Sequence, residues 1–121
     1  MSEARSFIRY LEELGVHVID CSGRVDLALG LARLKALQAE FAARPLLDGR
    51  RKLLIDFRST VWASEETHQE LSRITRRDFG LRADNSSIRV AILNQRWSGP
   101  ISDNEHWFFA EREAIEWLTA N

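Results

Sequence analysis

The run Ser64-Glu65-Glu66-Thr67 joins a hydroxyl to two carboxylates. That is the chemistry of a helix start. The hydroxyl accepts from free N–H groups of the first turn, and the acids lie at its positive end. Just before it, Arg58, Ser59 and Trp62 sit at the junction between an apolar run and that start. Asp56 closes the apolar run Leu53-Leu54-Ile55, at the carboxyl edge where open α/β sheets bind ligands. Its carboxylate could hold a cation or orient a substrate. The competing use is to accept hydrogen bonds from the turn Arg58 to Thr60.

The other reactive side chains are scattered. His17, His68 and His106 fall on a strand, a helix and a loop, without metal-ligand spacing, and Cys21 has no partner cysteine. His68 lies near Glu65 and Glu66 on a helix face expected to be solvated. His17 and Cys21 share a strand face, but alternate residues along a strand are about 6.6 Å apart, so four positions are far beyond hydrogen-bond reach. Cys21 is expected in the core. No Gly-rich phosphate loop is present, so neither metal nor cofactor is expected, and no acid, base and nucleophile converge. Arg73, Arg76 and Arg77, with Arg82 beyond, could form a basic patch for an acidic partner or a phospholipid head group. Against that stands a solvated face balanced by Glu66, Glu70 and Asp78. Trp97, in a polar Gly-Pro loop, and Trp62 offer large apolar area with little entropy to lose, as anchors for a partner or a lipid do. Trp107 and Trp117 are expected in or near the core.

Composition bounds the setting. With 121 residues, 45% hydrophobic and 29% charged, the chain suits one globular domain (1–121). A net charge of −1 gives no field to draw it onto nucleic acid or an anionic membrane. One cysteine excludes an internal disulfide and suits a reducing compartment. No signal-like start or apolar run of membrane-spanning length is seen, and a cytoplasmic location is expected.

The elements that would position these residues follow from periodicity. Phe7–Leu11 and Val16–Asp20, split by a polar segment with Gly15, form a hairpin pattern. From Asp26 to Arg44 the spacing of Leu27, Leu31, Leu34, Leu37 and Phe41 predicts a helix, with Arg33, Lys35 and Glu40 on its other side. Pro45 would stop it. A short buried strand, Lys52–Phe57, precedes the helix begun at Ser64, which Gly80 would end. Ser87–Leu93 is a third buried strand, Asn94–Glu105 a loop, and Trp107–Phe109 a last short strand. Glu111–Leu118 is a closing helix with Ala114, Ile115 and Leu118 inward. The order β-β-α-β-α-β-loop-β-α implies an α/β fold: a central mixed sheet with an antiparallel edge hairpin and helices packed on it.

The opening antiparallel pair, the strand Leu53-Leu54-Ile55-Asp56, the helix begun at Ser64 and the ending Phe109-Ala-Glu-Arg-Glu-Ala-Ile-Glu-Trp-Leu118 resemble a STAS domain (sulfate transporter and anti-sigma factor antagonist). The ending is most similar to the SpoIIAA-like branch, which is also compared with lipid-binding SEC14-type domains. The resemblance implies a non-enzymatic regulatory or protein-interaction module. Its serine phosphorylation site would lie at the N-terminus of the helix after the third strand, where a phosphate meets free N–H groups. Here that junction is Ser59 to Thr67. The family's Asp-Ser-Ser-Gly-like run is missing, and Ser64, Glu65 and Glu66 stand in its place. Ser64 is thus a candidate for modification, Glu65 and Glu66 for a fixed charge, and the cap alone is the alternative. The family's helix between the last two strands has no room in 94–106. A loop with one helical turn, or a last strand paired elsewhere, is expected instead. The partner would be an unidentified protein. The SEC14 comparison implies a small lipophile or lipid as the alternative, and a homodimer is compatible with either.

Overall fold

The computed structural model describes residues 5–44, 50–79 and 87–120. The opening hairpin pairs β1 (Arg5–Leu11) with β2 (Val16–Val25), Leu11 opposite Val16. Its turn closes through Gly15 N–H to the Leu11 carbonyl at 2.8 Å, with Gly15 at φ 67°, where a side chain would be strained. Asp26 caps α1 (Leu27–Ala43) by accepting from Leu29 N at 2.8 Å. Then follow β3 (Arg51–Trp62), α2 (Glu65–Asp78), β4 (Ile88–Leu93), β5 (Gly99–Ser102), β6 (Glu105–Phe108) and α3 (Glu111–Thr119). The Pro45 and Gly80 stops lie outside the described residues.

The strands form one sheet in the order β1-β2-β3-β4-β6-β5. The pairs β2–β3, β3–β4 and β4–β6 are parallel, and both edge pairs are antiparallel. Alternation along the strands divides the core. Ile19, Cys21, Leu53, Ile55, Val90 and Ile92 pack under Leu37 of α1, while Val16, Val18, Leu54, Ala91 and Leu93 pack against Ala114 and Leu118 of α3. A mixed α/β sheet with an antiparallel edge hairpin, as expected, is what the chain forms.

Three expectations need correction. First, β3 runs on to Trp62, so Asp56 lies within it rather than at its end. A register shift between Asp20 and Ser22 of β2 lets pairing continue through Ser59 and Trp62. Second, 94–105 is not all loop. Gly99–Ser102 forms the far edge strand, where a proline is tolerated because no neighbour needs its N–H. The chain passes β6's position to make β5, then returns as β6 between β5 and β4, so a strand replaces the missing helix. β6 starts at Glu105, and Phe109 lies beyond it and is exposed. Third, α1 is turned from its expected face: Gly30, Arg33 and Leu37 are buried, whereas Leu27 and Leu31 are exposed. Gly30 is the cause. A Cβ there would collide with the Leu71 side chain, so the missing side chain lets the Gly30 face of α1 pack against α2.

Candidate functional site

The carboxyl ends of β3 and β4 meet the start of α2 at a cleft of about 380 Å³, lined by residues that include Arg58, Trp62, Ser64, Glu65, His68 and Arg96. Trp62, the last residue of β3, stacks on His68 with ring centroids 4.7 Å apart and planes 24° apart. Phe57 meets the same indole edge-on at 4.9 Å, and Trp107 from β6 lies 6.1 Å from the imidazole. His68 is therefore part of an aromatic wall, not the solvated position expected of it. Burial pushes its pKa down, with Arg96 and Arg76 acting the same way against the opposing pull of Glu65.

Ser64 caps α2 as its sequence suggests, accepting from Thr67 N at 3.0 Å. Its hydroxyl also lies 3.0 Å from the Thr67 hydroxyl. Glu65 meets Arg96 at 3.1 Å, which with His68 holds its carboxyl below the ordinary range despite slight desolvation. Arg96 also approaches His68 Nδ1 at 3.4 Å.

The loop that presents Arg96 is built by Asn94. Its Oδ1 accepts from Arg96 N at 2.8 Å and Trp97 N at 2.9 Å, and its Nδ2 donates to the Trp97 carbonyl at 2.9 Å. Gln95 Nε2 ties the loop to the Arg58 carbonyl at 2.9 Å. These bonds leave Trp97 44% exposed, with its ring 6.0 Å from Trp107. Asp56 takes Arg58 through both backbone N–H (2.9 Å) and guanidinium (2.9 Å to Oδ2). Burial raises the Asp56 pKa, but the bonds from Arg58 outweigh it and hold the carboxyl below its usual value.

Other expected residues lie elsewhere. Ser59 is exposed and pairs with Ser22 in the sheet, and Glu66 is exposed on α2. The arginines of α2 are each taken up by an acid. Arg73 pairs with Glu70, Arg77 with Asp78 at 3.0 Å, and Arg76 with Glu105 at 3.0 and 3.1 Å. Glu105 is 2% exposed and also accepts from Trp107 Nε1 at 2.8 Å, so Arg76 belongs to the fold's interior wiring. Arg82 lies outside the described residues. His106 is on β6 rather than in a loop, stacked on Trp117 at 4.3 Å. His17 is buried between Tyr10 and Phe41. Cys21 is buried in the core, and burial pushes its thiol up to about 11. Among the described residues no three His, Cys, Asp or Glu side chains gather to hold a metal. Among them, too, no helix is long and apolar enough to cross a membrane.

Sequence reasoning missed His68, Arg96 and Trp107 as cleft residues. Arg96 could have been found, because it follows a buried parallel strand at the edge where such sheets bind ligands. The lipophile alternative requires an apolar space between helix and sheet, and a second space of about 50 Å³ does lie between α1, α2 and the sheet, lined by Arg33, Cys21, Leu37, Leu71 and Trp62 among others. The leucine spacing places Arg33 on the other side of α1, whereas it is buried. Chemically, the cleft offers stacking faces, guanidiniums and a helix start, a combination able to hold a planar or anionic group.

The structure is similar to that of an uncharacterised protein of the DUF3478 family with a SpoIIAA-like fold from Shewanella loihica PV-4. The TM-score is 0.58 at 17% identity, over 98% of both chains. The fold is therefore SpoIIAA-like, as the resemblance implied. No protein-family model matches the chain, and no curated protein matches it.

Proposed function

We propose that this chain is a non-catalytic, cytoplasmic binding module of STAS type whose recognition surface is the cleft at the carboxyl edge of β3 and β4, and that its partner is a protein segment. The observation that carries this reading is the convergence there of Arg58, Trp62, Ser64 and Glu65, from the stretch 58–65, with Arg96 from the loop after β4. Stacked aromatics give a partner apolar area at little entropic cost, and Trp97 stands exposed beside them. Ser64 at the rim supplies a regulatory point: a phosphate there would sit beside Glu65 and compete for Arg96.

Affinity capture from the native cell, with bound proteins quantified, tests the reading. A partner held by the wild type and by Arg112→Ala, a change on the distant exposed face of α3, is expected to be lost from Trp62→Ala and Arg96→Ala, with circular dichroism confirming that each folds. Equal recovery by all four proteins would remove the cleft from consideration. Unchanged recovery with Ser64→Asp would remove the regulatory arm alone.

A second reading, a carrier of a small lipophile, is favoured by the separate cavity beneath α1, whose walls are mostly apolar.

A further inference from the structure

Arg33 projects from α1 into the cavity of about 50 Å³ that Cys21, Val25, Leu34, Leu37, Leu71 and Trp62 help to enclose. An arginine at an apolar surface ordinarily keeps its head in water. Arg33 does so only in part: it is 9% exposed as a whole residue, and its Nε is sealed with no hydrogen-bond partner. None of the ion pairs among the described residues includes it. The two polar neighbours do not neutralise it. The Thr75 hydroxyl spends its proton on the Leu71 carbonyl at 2.7 Å and carries no charge. The Cys21 thiol lies within reach of the guanidinium, which opposes its upward shift, but burial prevails and pushes it up to about 11, so at neutral pH it is a protonated, weak acceptor without charge. A guanidinium buried on its Nε side without an acceptor or counter-charge is costly, and a paired anion meets that cost.

We propose that this cavity binds a small apolar carboxylate, an acid of about four to six carbons, with its carboxylate on Arg33 and its tail among Leu34, Leu37 and Leu71. The inference rests on the small-lipophile reading and gives it a ligand class. Size sets the chain length. At about 10–15 Å³ per water-sized group, a space of about 50 Å³ holds roughly four such groups, far too few for a long-chain lipid. Charge sets the head group. A planar carboxylate matches the guanidinium fork, whereas a hydrated phosphate dianion has one cation and apolar walls against its desolvation.

The test is isothermal titration of the full chain with acetate, butanoate, pentanoate and hexanoate, with pentanamide as the neutral isostere and inorganic phosphate as the other anion. Methyl NMR spectra locate the site. Affinity should rise about fourfold per added methylene until the cavity is full. Pentanamide should bind at least about tenfold more weakly than pentanoate. Pentanoate should shift the Leu37 and Leu71 methyls, and Arg33→Met, which keeps an apolar stem, should lose it. The acid-to-amide comparison needs no variant, so an unfolded Arg33→Met leaves the test intact. Equal binding of pentanoate and pentanamide would overturn the carboxylate inference while the lipophile reading stands. No saturable binding of any acid or amide at millimolar concentration would overturn both. Pentanoate binding that survives in folded Arg33→Met, or a phosphate response as strong as that to pentanoate, would also overturn it.

Discussion

Arg73 and Arg76 lie three positions apart on α2 and meet very different acids. Glu70 is exposed in part and on the same helix, whereas Glu105 is sealed under β6 and depends on Arg76 and Trp107 for its hydrogen bonds. Arg76→Ala strands a buried carboxylate. It should cost about 2–3 kcal/mol in urea denaturation, toward the low end for such pairs because Arg76 itself is 38% exposed. Arg73→Ala and Arg77→Ala should each change stability by less than about 1 kcal/mol. If all three behave alike, Glu105 does not depend on Arg76. At Ser64 the same measurement separates cap from charge: Ser64→Ala should cost about 1 kcal/mol, and Ser64→Asp, which keeps an acceptor, should be near neutral. The cap was legible in sequence because it acts over three residues. The Arg76–Glu105 pair was not, because its partners lie 29 positions apart and Glu105 falls where Gly99 and Pro100 suggested a loop.

At the scale of elements, the contact between α1 and α2 turns on Gly30. Alanine there gains roughly 1 kcal/mol of helix propensity but drives a methyl into Leu71. Overpacking of this kind costs about 1–3 kcal/mol, so Gly30→Ala should destabilise the protein or leave it unchanged. In a Leu71→Ala background the clash is gone, and the same change should stabilise. Thermal unfolding of the four proteins measures that change of sign, and its absence would mean that Leu71 does not set the helix spacing. This contact shows where sequence reasoning stops. Periodicity gave α1 its existence and its bounds to within a residue or so, because 3.6-residue spacing is local. Which stripe faces inward was decided by a glycine whose partner lies on another helix, and leucine counting put Leu31 inside and Arg33 outside. β5 was hidden for a related reason. Its proline forbids a central strand but not an edge one, and edge position is a property of the finished sheet.

For the whole molecule, the three histidines act together. His17, His68 and His106 all have pKa values pushed down, with burial the leading cause for each. Below about 6.5, the ordinary imidazole value, the unfolded chain takes up protons that the folded chain resists. Their contribution is thus complete above about pH 6.5 and is lost as pH falls toward the lowered values. Asp56 is held below its usual value and gives a second stage, complete above about pH 4 and lost beneath it. Stability plotted against pH should therefore fall in two steps on the acid side. His17→Phe, set between Tyr10 and Phe41, should flatten the upper step, and a slope unchanged by that substitution would show that His17 takes no part in it. One further consequence belongs to Trp62. Its indole is a party wall, lining the outer cleft and the inner cavity alike. Two tenants separated by one partition feel each other through it. By thermodynamic reciprocity, whatever factor an occupant of the cavity applies to affinity at the cleft, an occupant of the cleft must apply in return.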